Sequence, residues 1–144
     1  MDASFNAKLA DFGWTRIKAN VMTAKIGTYQ WMAPEVITSH KYTEKADVFS
    51  FGVLLWELAT RKPPYYGKQR MIVGMEGTEV GRKVVEENLR PKISEKECPP
   101  QLLSLMRRCW DKDAGKRPSF KEIIIEMESY NFKHLDQPSS SHKK

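Results

Sequence analysis

A mainly α-helical fold is predicted, and three features of the sequence predict it. The run Asp47 to Thr60 is apolar on every side of a helical projection, the mark of a helix enclosed by protein. Leu102, Leu105, Met106 and Cys109 recur at i, i+3, i+4 and i+7, which places them on one face of a second helix. Ser119 and Glu122 form the Ser-x-x-Glu pattern whose hydroxyl and carboxylate satisfy free backbone N–H groups at a helix start. The chain of 144 residues suits one packed unit, a core burying roughly two thirds of the unfolded surface.

Taken in order, residues Asn6 to Ala10 are short and partly apolar and run into Asp11-Phe12-Gly13, a turn signal, so a brief strand is expected there. Trp14 to Ile26 holds neither period and reads as a long irregular loop. Pro34 suits the first turn of a short helix over 34–38, where its missing N–H costs nothing. The apolar run extends back to a helix over 44–60 with Thr43 as its expected N-cap, and Arg61-Lys62-Pro63-Pro64 stops it. Lys68 to Met75 reads as an insertion. A weaker helical pattern covers 76–88, closed by Leu89-Arg90-Pro91; Pro99-Pro100 opens the helix over 101–110, and the last helix spans 119–130 through Ile123, Ile124, Met127 and Tyr130. Residues 131–144 are too polar to pack and are expected to be disordered.

Composition excludes several classes. Hydrophobic residues at 40% and charged residues at 29% suit a globular protein, and no basic-then-apolar leader is visible, so a cytoplasmic or nuclear location is expected. The central run falls short of the ~20 apolar residues of a membrane span. A net charge of +6 raises the question of nucleic acid, but the Lys and Arg pairs are scattered with acids between them, so a solvated basic surface is expected instead. Cys98 and Cys109 fit neither a disulfide framework nor a zinc site and are expected to be structural thiols.

Five motifs stand in a telling order: Asp11-Phe12-Gly13, then Gly27-Thr28-Tyr29-Gln30-Trp31-Met32-Ala33-Pro34-Glu35, then Asp47-Val-Phe-Ser-Phe-Gly52, Cys109-Trp110, and Lys116-Arg117-Pro118-Ser119-Phe120. Over residues 1–130 the chain resembles the C-terminal lobe of a protein kinase domain, from D-F-G to the last helix, in the tyrosine-kinase-like group whose members mostly phosphorylate Ser and Thr. The resemblance implies a partial α+β parent fold. It makes Asp11, with Phe12 and Gly13, the ligand of the magnesium that accompanies ATP in an intact domain. Thr28 matches the substrate-loop hydroxyl residue of Ser/Thr kinases, and Thr23 stands where an activation-loop phosphate often goes. Glu35, of A-P-E, matches the glutamate that pairs with a distant arginine, here Arg117. Asp47 matches the aspartate that holds the backbone of the H-R-D catalytic loop.

The rest of the catalytic set is not in this sequence. None of His40, His134 and His142 begins H-R-D, and Gly74, Gly77 and Gly81 fit neither G-x-G-x-x-G nor a Walker loop. The chain alone is therefore predicted to bind neither ATP nor magnesium and to be non-catalytic, a piece of a Ser/Thr kinase with protein substrates. The alternative is a non-catalytic kinase-like binding module that docks on a partner kinase or substrate. In either case, without the helices that normally pack on the central run, exposed apolar surface should favour self-association. Asp47, without its loop, is expected to find water or another donor, or to bear the cost of an unsatisfied group, about 1–3 kcal/mol.

Overall fold

The computed structural model describes residues 29–39, 43–65, 77–95 and 97–130. Within them the chain forms a 3-10 turn at Tyr29–Trp31, α1 at Pro34–Ser39, α2 at Glu44–Thr60, α3 at Gly77–Glu86, α4 at Pro100–Cys109, a second 3-10 turn at Ala114–Lys116 and α5 at Phe120–Glu128. No strand occurs among the described residues. The strand expected at Asn6 to Ala10 and the polar tail 131–144 lie outside them.

Each helix begins and ends for a local reason. In α1 the hydroxyls of Thr38 and Ser39 donate back to the carbonyls of Pro34 (3.0 Å) and Glu35 (2.9 Å), occupying acceptors that a short helix leaves open. Thr43 is the N-cap residue of α2 and is extended, but its side chain makes no capping bond, contrary to expectation; its carbonyl accepts from Ala46 at 2.9 Å. Glu44 and Asp47 in the first turn supply negative charge at the positive end of the helix instead. Arg61 closes α2 in the left-handed conformation (φ 55°), its N–H bonded to Glu57 O at 2.8 Å, and the prolines that follow forbid further turns.

Helix α3 is shorter than the 76–88 pattern suggests. Asn88 turns left-handed (φ 52°), a conformation asparagine tolerates, and the N–H groups of Glu87 and Leu89 both return to Lys83 O at 3.0 Å. Helix α4 starts with Pro100 at a position where no N–H is needed. At α5 the capping box is complete: Glu122 N–H donates to Ser119 Oγ at 3.3 Å, and Ser119 N–H donates to Glu122 Oε2 at 2.7 Å.

Helix α2 is the centre of the core, with Val48, Phe49, Val53 and Trp56 buried, and α4 crosses it with Leu103, Leu105, Met106 and Cys109 buried. The crossing depends on Gly52. A Cβ there would lie 2.8 Å from Cys109 Cβ, closer than two carbons approach. The connecting chain is pinned onto this pair: Trp56 Nε1 donates to Lys92 O at 2.9 Å, and Arg90 Nε to Trp110 O at 2.8 Å. Cys98 and Cys109 are free and buried, and burial pushes the Cys109 thiol up to about 12, so it packs as an apolar group.

One apolar expectation needs correction. Helix α2 is not enclosed on all sides, because Leu54 and Leu58 are 43% and 66% exposed. In α5, Ile123 is buried whereas Ile124 is 56% exposed. No described helix is long and apolar enough to cross a membrane.

Candidate functional site

The stretch that leads into α1 is held from two sides. Ser50 Oγ, in α2, donates to Trp31 O at 2.7 Å, and Trp31 Nε1 donates to Glu57 Oε2, about two turns along the same face, at 3.3 Å. From the other side α3 presses on Tyr29: a Cβ on Gly81 would lie 2.8 Å from Tyr29 Cδ1. The ring thus occupies the space that the missing side chain leaves, and the backbone directly after Thr28 is fixed between α2 and α3.

Beyond it, Glu35 and Arg117 meet although 82 positions separate them. Arg117 Nη1 donates to Glu35 Oε1 at 2.7 Å and Nη2 to Glu35 Oε2 at 2.9 Å, the parallel two-bond geometry that a guanidinium makes with a carboxylate. Nη1 also donates to Lys45 O at 2.8 Å, and Nε to Asp111 O at 2.9 Å. Lys45 Nζ returns a bond to Arg117 O at 2.6 Å. The Arg117 side chain is fully buried, which its bonds to one carboxylate and two carbonyls make tolerable.

Local sequence delivers Arg117 to that position. Asp111 Oδ1 accepts from Asp113 N–H (2.8 Å) and Asp113 Oδ1 from Gly115 N–H (2.9 Å), turning the chain through the Ala114–Lys116 turn. The guanidinium then lies 5.2 Å from the centre of the Phe49 ring, and that of Arg90 lies 4.8 Å from the same ring. Burial alone would raise the Glu35 pKa, but the Arg117 hydrogen bonds, a backbone bond and the Arg117 charge outweigh it, so the carboxyl is held below its usual range.

The other expected site residues fall elsewhere. Asp47 is exposed in the first turn of α2, so the cost of a buried unsatisfied carboxylate does not arise. Asp11, Phe12, Gly13, Thr23 and Thr28 lie outside the described residues. Among the described residues no three His, Cys, Asp or Glu side chains are placed to hold a metal ion. Sequence reasoning missed the anchors Ser50 and Glu57, the Arg90–Phe49 contact and the carbonyls that receive Arg117. Only Glu57 carried a signal, as a lone acid inside an apolar helix.

Comparison with known proteins agrees with the geometry. The family model described as protein tyrosine and serine/threonine kinase matches residues 1–127. The serine/threonine-protein kinase STY46 of Arabidopsis thaliana is 46% identical over 130 residues, which are 89% of this chain and 21% of that protein. The serine/threonine/tyrosine-protein kinase HT1 of the same plant is 38% identical over 133 residues, 91% of this chain and 32% of its own length. The putative serine/threonine-protein kinase/receptor R826 of Acanthamoeba polyphaga mimivirus is 41% identical over 126 residues, 87% of this chain and 7% of its own. The chain thus spans between 7% and 32% of the length of these relatives.

Proposed function

The chain belongs to the protein tyrosine and serine/threonine kinase family, and from that premise we propose that it is the part of a serine/threonine kinase running from the metal-binding turn to the last helix. The intact domain transfers the γ-phosphoryl group of ATP to Ser or Thr of protein substrates, and the chain alone does not. The observation that carries this reading is the Arg117–Glu35 bridge, together with the anchoring of Tyr29–Trp31. Both fasten the chain from Tyr29 to Glu35, which follows Thr28 in the sequence, to helix α2, as a surface receiving a protein substrate requires.

Asp11 is the residue of this chain that would hold magnesium, and the metal would neutralise charge on the transferring phosphates. Catalysis of phosphoryl transfer rests on positioning and electrostatics from several loops, and a metal ligand without its partners positions nothing. On the same basis we assign Thr28 to substrate contact and Thr23 to activation-loop phosphorylation, where added negative charge would need basic partners.

A graft tests the proposal. The segment of STY46 that precedes its match to this chain is joined in frame to residues 1–144, and phosphate incorporation into a general Ser/Thr protein substrate is measured with ATP and magnesium. The graft is expected to be active and to lose activity on Asp11→Asn, while residues 1–144 alone incorporate nothing. Activity of the 144-residue chain that disappears on Asp11→Asn would overturn the proposal, as would a folded graft that transfers no phosphate.

A further inference from the structure

The fold gathers basic side chains that the sequence leaves apart. Where the start of α2, the end of α4 and the loop before α5 come together, a surface cavity of about 350 Å³ opens. Its walls include Lys45, Arg108, Lys116, Arg117 and Glu122, so four cations stand around it against one carboxylate. The nearby acids are engaged elsewhere. Residues 107–121 hold six Lys and Arg against two acids, Asp111 and Asp113, and the carboxylates of both accept backbone N–H groups within the turn. Glu122 Oε2 accepts from the Ser119 N–H at 2.7 Å and from its hydroxyl at 2.8 Å, which ties it to the helix cap. The cations keep donors in reserve. Half-buried Lys45 gives one of its three N–H groups to Arg117 O at 2.6 Å, Arg108 holds Glu126 through Nη2 alone, and Lys116 is exposed. Arg117 is committed to Glu35 and two carbonyls and contributes mainly its charge. Helix α5, nine residues long, begins beside the same hollow and adds the positive end of its dipole.

We propose that this cavity binds the phosphate group of a phosphorylated serine or threonine presented by another protein. Lys45, Arg108 and Lys116 come from three different parts of the fold, and a phosphate monoester offers three terminal oxygens to meet them. A carboxylate offers only two. Cations that converge on one hollow suit a single compact anion, whereas a nucleic acid spreads its phosphates along a line and a membrane presents a flat surface. The hollow is larger than a phosphate ion, which leaves room for the side chain that carries it. The cavity and its cations stand whether or not the intact domain transfers phosphate, and the test below reads binding alone.

Amide NMR titration of the isotope-labelled 144-residue chain is the test, with circular dichroism as the folding control. The probes are a short Gly/Ala peptide carrying one phosphoserine, the same peptide without phosphate, inorganic phosphate, a DNA duplex and phosphatidylserine vesicles. The phosphopeptide is expected to bind with a dissociation constant on the order of 0.1 mM and to shift the amides of Gly115, Lys116 and Glu122, while the unphosphorylated peptide does not. Lys116→Glu should weaken binding about tenfold. Lys112→Glu makes the same charge change at an exposed residue outside the cavity and should alter binding less than about threefold. Both residues are exposed, so both variants keep the fold. Absence of phosphopeptide binding overturns the proposal, as does equal loss in the two variants or binding indifferent to Lys116→Glu. Inorganic phosphate bound as tightly as the phosphopeptide would mark an adventitious ion only and overturn it too, and so would tighter binding of DNA or vesicles at the same amides.

Discussion

Arg117 is the residue on which the widest set of connections depends. Arg117→Ala removes the bonds to Glu35, Lys45 and Asp111 together and leaves the Glu35 carboxylate, only 24% exposed, without its cation. A loss of about 3–5 kcal/mol is expected, read as a large fall in thermal midpoint; an unchanged transition would refute the role of the pair. The pair also sets an acid limit. The Glu35 pKa is lower folded than unfolded, so its contribution is present above the ordinary carboxylate range and lost as pH falls through the folded value. Glu35→Gln should therefore be less stable than the parent near neutrality, and the gap should narrow as pH falls below about 4 in denaturant titrations. Gly52→Ala acts by crowding instead: the new methyl group would press on Cys109 Cβ at the helix crossing, a cost of about 1–3 kcal/mol visible as a lower denaturant midpoint with an unchanged slope. The sequence made Arg117 and Glu35 legible because both sit in distinctive motifs. Lys45 and Asp111 were not, since they accept Arg117 through carbonyls, which every residue carries.

Helix positions were read from the sequence nearly to the residue wherever punctuation was strong. Pro34, Pro100 and the Ser119–Glu122 box each mark a start through a specific backbone need, and α1, α4 and α5 begin within one residue of expectation. The end of α3 was misplaced because Asn88 stops it by adopting a left-handed conformation, which asparagine permits and does not require. Thr43 shows the same limit at a start: a residue able to cap takes the N-cap position without making the bond. The box at α5 gives a test at this scale. Ser119→Ala removes the hydroxyl that accepts from Glu122 N–H and should destabilise the fold by about 1 kcal/mol, whereas Ser119→Asp should retain most of the stability. Equal melting of Ser119→Ala and the parent would show that α5 is held by Ile123 and its neighbours alone.

Across the whole molecule, α2 is the element with the most neighbours among the described residues. It meets α4 and both 3-10 turns, whereas α3 rests mainly on α1 and on the Tyr29–Trp31 turn. Native-state hydrogen exchange should therefore be slowest in α2 and α4 and faster in α3; α3 amides as protected as those of α2 would contradict this ordering. The fold was legible as a set of helices, but the apolar run of α2 was read as enclosed when one stripe of it is open. Apolar residues on all sides of a helix state what it can bury, and neighbours decide which sides are covered. The candidate site was legible as motifs, yet the anchoring of Tyr29 in the gap at Gly81 was not, because only packing gives a missing side chain its meaning. The bridge from Glu35 to Arg117 also bears on time. Its ends are 82 positions apart, so closing that loop is costly and the contact is expected to form late, after the intervening helices have shortened the path between them. It then works as a latch on exit. In stopped-flow experiments Arg117→Lys should leave refolding almost as fast as in the parent and should speed unfolding by most of the stability it removes.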